Sequence, residues 1–135
     1  MPDPVYRILD ANCNRLREAL RVVEEYFRFI KNDETPSAQL KQIRHQLTAI
    51  EGELGQANLL EGRDTETDCF ANVNRPEEME RENPVDCARA NFKRAQEASR
   101  VIEEYAKIVG CNDASQKAKS IRFSLYTMEK QFIAR

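Results

Sequence analysis

The chain has 135 residues, 41% hydrophobic and 33% charged, which fits one soluble helical domain with a real core and a crowded charged surface. Its net charge of −2 offers no general attraction to nucleic acid or an anionic membrane, and no apolar run approaches the ~20 residues of a membrane span. The opening MPDPVYRILD lacks the charged-then-apolar plan of a signal peptide, so a cytoplasmic protein with reduced thiols is expected.

Asp3-Pro4 reads as a helix start, with the acid as cap and proline in the first turn. The apolar period then runs to Ile30, and Lys31-Asn32-Asp33 ends it. At ~100° per residue, Ile8, Leu16, Ala19, Val23, Tyr26 and Ile30 share a stripe with Asn12 at its centre. Arg15 and Glu18 flank it. Thr35-Pro36 repeats the start signal for a second helix to about Glu51, which Gly52 and Gly55 are expected to break. All four glycines are read as lying outside the helices.

Residues 53–83 are polar and contain GRDTETD at 62–68. Connections beyond about 12–15 residues are uncommon in compact domains and are usually functional or disordered. Short helices are expected near 56–60 and 76–82. Asn83-Pro84 opens a third helix ending at Val109, with Gly110 as its stop. Asn112 or Asp113 caps a fourth, whose apolar positions run through Ile121, Leu125, Met128 and Phe132.

The chain is duplicated. ANCNRLREALRVVEEY at 11–26 returns as ANFKRAQEASRVIEEY at 90–105, with ten of sixteen positions identical at an offset of 79. Lys41, Ile43, Arg44, Leu47 and Glu51 return as Lys119, Ile121, Arg122, Leu125 and Glu129 at an offset of 78, so the connecting turns differ by one residue. An all-α, pseudo-twofold four-helix bundle is expected: one domain over 1–135, repeat halves at about 4–52 and 84–135, and a long central loop at 53–83. Asn12 and Asn91 recur on core-facing stripes, where an unsatisfied polar group costs roughly 1–3 kcal/mol, and so suggest a polar seam. The plain alternative is surface pairing, as in Arg21 with Glu25 and Arg100 with Glu104, contributing about 0.3–0.5 kcal/mol a pair.

Chemistry is left to arginine and carboxylate. There is no GxxxxGK[ST] or GxGxxG loop, and the four cysteines (Cys13, Cys69, Cys87, Cys111) lack zinc-ligand spacing. The one histidine, His45, aligns with Phe123 and reads as a packing position. Arg7, Arg15, Arg44, Arg63, Arg94 and Arg122 are candidate anion clamps, because a guanidinium fork matches phosphate oxygens. Asp10, Glu18, Asp64 and Asp68 are candidate Mg²⁺ ligands.

The runs YRILDANCNRLREALRVVEEYFRF at 6–29, KQIRHQL around Arg44, RDTETD at 63–68 and ANFKRAQEASRVIEEYAKI in the second half resemble a helical domain of thiamine biosynthesis, found alone or fused ahead of thiamine phosphate synthase. The resemblance covers essentially the whole chain. It implies a monofunctional hydroxymethylpyrimidine phosphate kinase that uses ATP and Mg²⁺ to make the diphosphate. For that reaction, phosphate contacts are expected from Arg15, Arg44, Arg63, Arg94 and Arg122, with Arg63 and Asp64 catalytic. Glu18, Asp64 and Asp68 are expected to hold Mg²⁺ or its waters, Asn12 and Asn91 to read the pyrimidine or a phosphate, and the 53–83 loop to close over the site. Phosphoryl transfer is mainly positioning and charge stabilisation, which such a set can supply. Synthase activity belongs to a (β/α)₈ barrel with no counterpart in these residues. The competing expectation is a non-catalytic helical module that partners the synthase or holds a pyrimidine phosphate; a helical nucleotide pyrophosphatase is a weaker third.

Overall fold

The computed structural model describes residues 3–73 and 80–133, and every regular element among them is helical. Helix α1 (Pro4–Glu25) starts where the Asp3 carboxylate accepts the Val5 N–H at 2.9 Å, and it runs into a π-helical turn, Tyr26–Ile30. Helix α2 (Glu34–Leu54) is capped by Asp33, which accepts the Thr35 N–H at 3.3 Å; Pro36 lies inside its first turn. Gly52 does not break α2. The helix passes through it and stops at Gly55, whose φ of +93° only glycine adopts cheaply.

A short helix, α3 (Gln56–Gly62), follows, two residues longer than expected. Helix α4 (Pro84–Ile108) is capped by Asn83, which accepts the Asp86 N–H at 2.8 Å, and Gly110 at φ +76° turns the chain. Helix α5 (Asn112–Met128) has Cys111 at its cap position and ends in a second π turn, Glu129–Ile133. Of the helix expected at 76–82, residues 76–79 lie outside the described residues, and 80–82 are not helical.

The pairs α1–α2 and α4–α5 are antiparallel hairpins, and α1 packs along α4 in the largest contact of the fold. The core is built from Leu9, Leu16, Leu20, Leu47, Phe92, Ile102, Ile121 and Leu125. Phe27 joins α1 to the rest: its ring lies edge-on to Phe92 at 6.3 Å and to Phe132 at 5.8 Å. Because Phe27 lies just past the end of α1 and Phe92 early in α4, these two helices are antiparallel as well.

The one-residue difference between the halves has a structural location. A π turn closes i to i+5 and absorbs one extra residue relative to an α turn. The first half has one at Tyr26–Ile30, where the aligned segment of α4 stays α-helical. The expected stripe is also corrected: Ile30 is exposed, and Phe27, which continues the α-helical spacing of Leu16, Leu20 and Val23, takes the inward place, as Ala106 does in the second half. His45 is exposed rather than packed, and Gly52 and Gly62 are helical.

Candidate functional site

Each hairpin carries a ladder of polar rungs between its two helices. In the first, Arg44 Nη2 donates to both oxygens of Glu24 at 3.0 Å, and Arg21 Nη1 reaches Oε2 at 3.3 Å. Two turns away, Arg17 pairs with Glu51. In the second hairpin, Arg122 donates to Glu103 Oε1 through Nη2 at 2.8 Å and Nε at 3.3 Å. Its second rung is Glu129, which accepts Gln96 Nε2 at 2.9 Å and Lys93 Nζ at 3.2 Å. The heptad spacings 17/24, 44/51, 96/103 and 122/129 place both rungs on one face of each helix. Glu24 and Glu103 are buried, as a charge can be when paired and hydrogen-bonded.

These ladders engage two of the expected anion clamps, Arg44 and Arg122. A third, Arg63, grips buried Asp10 through Nε at 2.8 Å and Nη2 at 2.9 Å, and the Asp10 carboxylate holds the guanidinium more firmly protonated than usual. Arg7 Nη2 donates to the Asp64 carbonyl at 3.0 Å. The expected 53–83 loop is thus largely helical up to Gly62, and the chain leaving α3 is pinned at Arg63 and Asp64 to the first turns of α1. The Asp64 carboxylate turns back onto Thr67, accepting its hydroxyl and its N–H, and is held below the usual carboxylate range. Asp68 accepts the Phe70 N–H at 3.0 Å. Among the described residues no three histidine, cysteine, aspartate or glutamate side chains gather to hold a metal ion.

Asn12 and Asn91 make the same bond, each amide donating to the carbonyl four residues back (Ile8 and Cys87) at 2.9 Å. Arg15 reaches Asn12 Oδ1 at 3.5 Å, while Glu18 and Arg94 are exposed and make no hydrogen bond or ion pair among the described residues. The structure does not bring the two asparagines together. Phe92 stands beside Phe27, so Asn91 lies near the far end of α1, ~20 Å along the axis from Asn12.

Grooves flank the ladders of both halves: one of about 500 Å³ on the second hairpin is lined by Lys93, Gln96, Glu97, Arg100 and Tyr126, and three more lie around the first hairpin and the α2–α5 seam. Of these three, one of about 560 Å³ opens where α1 turns into α2; Arg21, Arg28, Lys41 and Arg44 line it together with Glu24, Asp33 and Glu34. Glu24 is committed to Arg44 and Arg21, and Asp33 caps α2, whereas Lys41 has no ion pair among the described residues and Arg28 only stacks on Phe29 at 4.8 Å. A second groove of about 380 Å³ lies between α1 and α3, around Asp10, Arg17, Glu51 and Arg63. A third, about 560 Å³ between α2 and α5, has an uncharged lining that includes Gln42, Gln46, Ser120 and Phe123. The sequence reading missed Arg21, Arg28 and Lys41 as a set. The signal for the ladders was present, since Glu24/Glu103 and Arg44/Arg122 are both shared between halves.

Fold and grooves define a duplicated helical bundle with paired charges across its hairpins, unlike the strand–helix frameworks that cradle nucleotides on glycine-rich loops. The ThiD2 family model matches residues 7–131, and the chain belongs to that family. It is 44% identical over 125 residues to a protein of Gloeobacter violaceus named thiamine-phosphate synthase, covering 93% of this chain and 35% of that one. Proteins of the same name in Thermosynechococcus vestitus and Nostoc punctiforme are 40% and 38% identical, over 92% and 96% of this chain and 34% and 35% of theirs. The chain thus spans about a third of the length of the curated relatives it matches. No solved structure matches it. No helix among the described residues is long and apolar enough to cross a membrane.

These names correct the enzyme expectation. Relatives at 36–44% identity over most of the chain are called thiamine-phosphate synthase, not hydroxymethylpyrimidine phosphate kinase. The geometry offers a physical reason for the miss: arginines read as free for phosphate are bound to Glu24, Asp10 and Glu103.

Proposed function

We propose that this chain is a helical binding module of thiamine biosynthesis that holds a phosphorylated pyrimidine beside thiamine-phosphate synthase and performs no chemistry itself. The family and the shared name of its relatives support the pathway, and their greater length supports work alongside a second functional part. The observation that carries the ligand reading is the groove at the α1–α2 turn. Arg28 and Lys41 face it without a carboxylate partner among the described residues, over a floor where Arg44 is already neutralised by Glu24. A phosphomonoester has a second pKa of about 6 and is largely dianionic at neutral pH, so it meets a fork and an ammonium it can use. The mixed lining also suits the ring: Glu34 and Asn32 offer an acceptor and an amide to its polar edge.

Calorimetric titration with hydroxymethylpyrimidine phosphate tests this. Saturable binding that weakens at least tenfold in Arg28→Ala/Lys41→Ala is expected. No detectable binding at millimolar ligand overturns the reading. Co-elution of the chain with a separately expressed synthase barrel examines the partner half of the proposal.

A further inference from the structure

Duplication offers two places for one ligand, yet the halves have diverged: the first-half groove reaches the Glu24–Arg44 rung, whereas the second-half groove, lined by Lys93, Gln96, Glu97, Arg100 and Tyr126, leaves Glu103 and Arg122 outside its lining. The first difference lies in the connection. In the first half the π turn Tyr26–Ile30 and then residues 31–33 lead into α2, and Ser37 Oγ donates within its own turn to the Asp33 carbonyl at 2.7 Å. In the second half α4 passes into α5 through 109–111 alone. There Ser115, the counterpart of Ser37, donates to the Glu103 carbonyl at 2.8 Å and ties the start of α5 down onto α4.

The second difference is a roof. The Arg122 guanidinium lies 4.9 Å from the ring centre of Phe123 and 5.9 Å from that of Tyr126. The aligned residues on α2 are His45 and Thr48, which place no such stack on Arg44. Aromatic faces attract a guanidinium and shed water from it. Accordingly the Arg44 side chain is 25% exposed and that of Arg122 only 10%. Third, Lys107, which aligns with Arg28, is drawn to Glu104 at 3.4 Å.

We infer that each chain has one phosphomonoester site, in the first-half groove with Arg28 and Lys41 as its contacts, and that the second half, whose Arg122 is covered, is a structural copy without such a site. This rests on the proposed role of holding a pyrimidine phosphate. Arg28, Lys41 and their counterparts Lys107 and Lys119 are all exposed, so removing them leaves both ladders in place.

The test is the stoichiometry of hydroxymethylpyrimidine phosphate by calorimetry on the wild-type chain. Arg28→Ala/Lys41→Ala and Lys107→Ala/Lys119→Ala variants, checked for helicity by circular dichroism, accompany it. One ligand per chain is expected, with at least a tenfold loss of affinity in the first variant and less than twofold in the second. Two ligands per wild-type chain, or equal losses in the two variants, overturns the inference while leaving the binding role intact. No binding by the wild type removes that role and this inference with it. Wild-type stoichiometry decides even if a variant fails to fold.

Discussion

Arg122 reaches from α5 to Glu103 on α4 at 2.8 Å, and both side chains of the pair are buried. Glu24 and Arg44 repeat the contact in the first hairpin, but there the arginine opens onto a groove. Removing one partner of a buried pair leaves the other as an unpaired charge, which costs about 3–5 kcal/mol. Glu103→Gln is therefore expected to destabilise by roughly that amount, and Glu24→Gln by about 1–2 kcal/mol because Arg44 can turn to water. Urea unfolding checks the order. Adding Arg122→Met to Glu103→Gln should recover much of the loss.

Two glycines predict opposite outcomes. A Cβ on Gly62 would stand 2.8 Å from the Arg7 nitrogen and 2.8 Å from the Tyr6 carbonyl carbon, backbone atoms of α1 that cannot give way. Gly62→Ala is expected to push α3 off α1 and cost about 1–3 kcal/mol. Gly52 is helical, and a methyl added there would meet nothing within 4 Å, so Gly52→Ala should stabilise by about 0.5–1 kcal/mol. Thermal melts of the two variants should move in opposite directions.

Cys13 supplies the pH dependence. Burial first, and Glu51 second, push its thiol up from 9.0 to about 12. The unfolded chain ionises this thiol first, so the folded state keeps its full advantage below about pH 9 and loses it as pH rises from there through about 12. Cys13→Ala should flatten that alkaline decline in unfolding free energy. Native alkylation followed by mass spectrometry should label exposed Cys69 and leave Cys13 unmodified.

Asp10 holds the loop to the bundle. Asp10→Asn weakens the bidentate grip on Arg63 and is expected to cost about 1–2 kcal/mol, since Arg63 is half-exposed and rehydrates. Chymotryptic cleavage after exposed Phe70 should become severalfold faster.

The helices were legible because the signals that make them are local: Asp3, Asn83 and Gly110 act within a few residues, and the repeat supplied each half with a second reading. The offset change from 79 to 78 even recorded the π turn, although spacing alone could not say whether a loop or a helix took up the residue. Gly52 misled because one glycine inside a well-packed helix costs only about 1 kcal/mol, less than burying Ile50 and Leu54 on either side contributes. The site was harder to read. Arg44 and Arg122 carry the chemistry of anion clamps, and only the antiparallel register of each hairpin reveals that Glu24 and Glu103 reach them first. Arg21, Arg28 and Lys41 meet at a helix turn whose geometry the π-helical residues set.

The most direct test of the binding role is to map amide chemical-shift changes on the ¹⁵N-labelled chain during titration with hydroxymethylpyrimidine phosphate. Changes are expected to concentrate around Arg21, Arg28, Asn32, Lys41 and Arg44, with the aligned positions of α4 and α5 unmoved. Changes centred on Arg100 to Arg122, or in the uncharged groove between α2 and α5, or no change at millimolar ligand, would contradict that role.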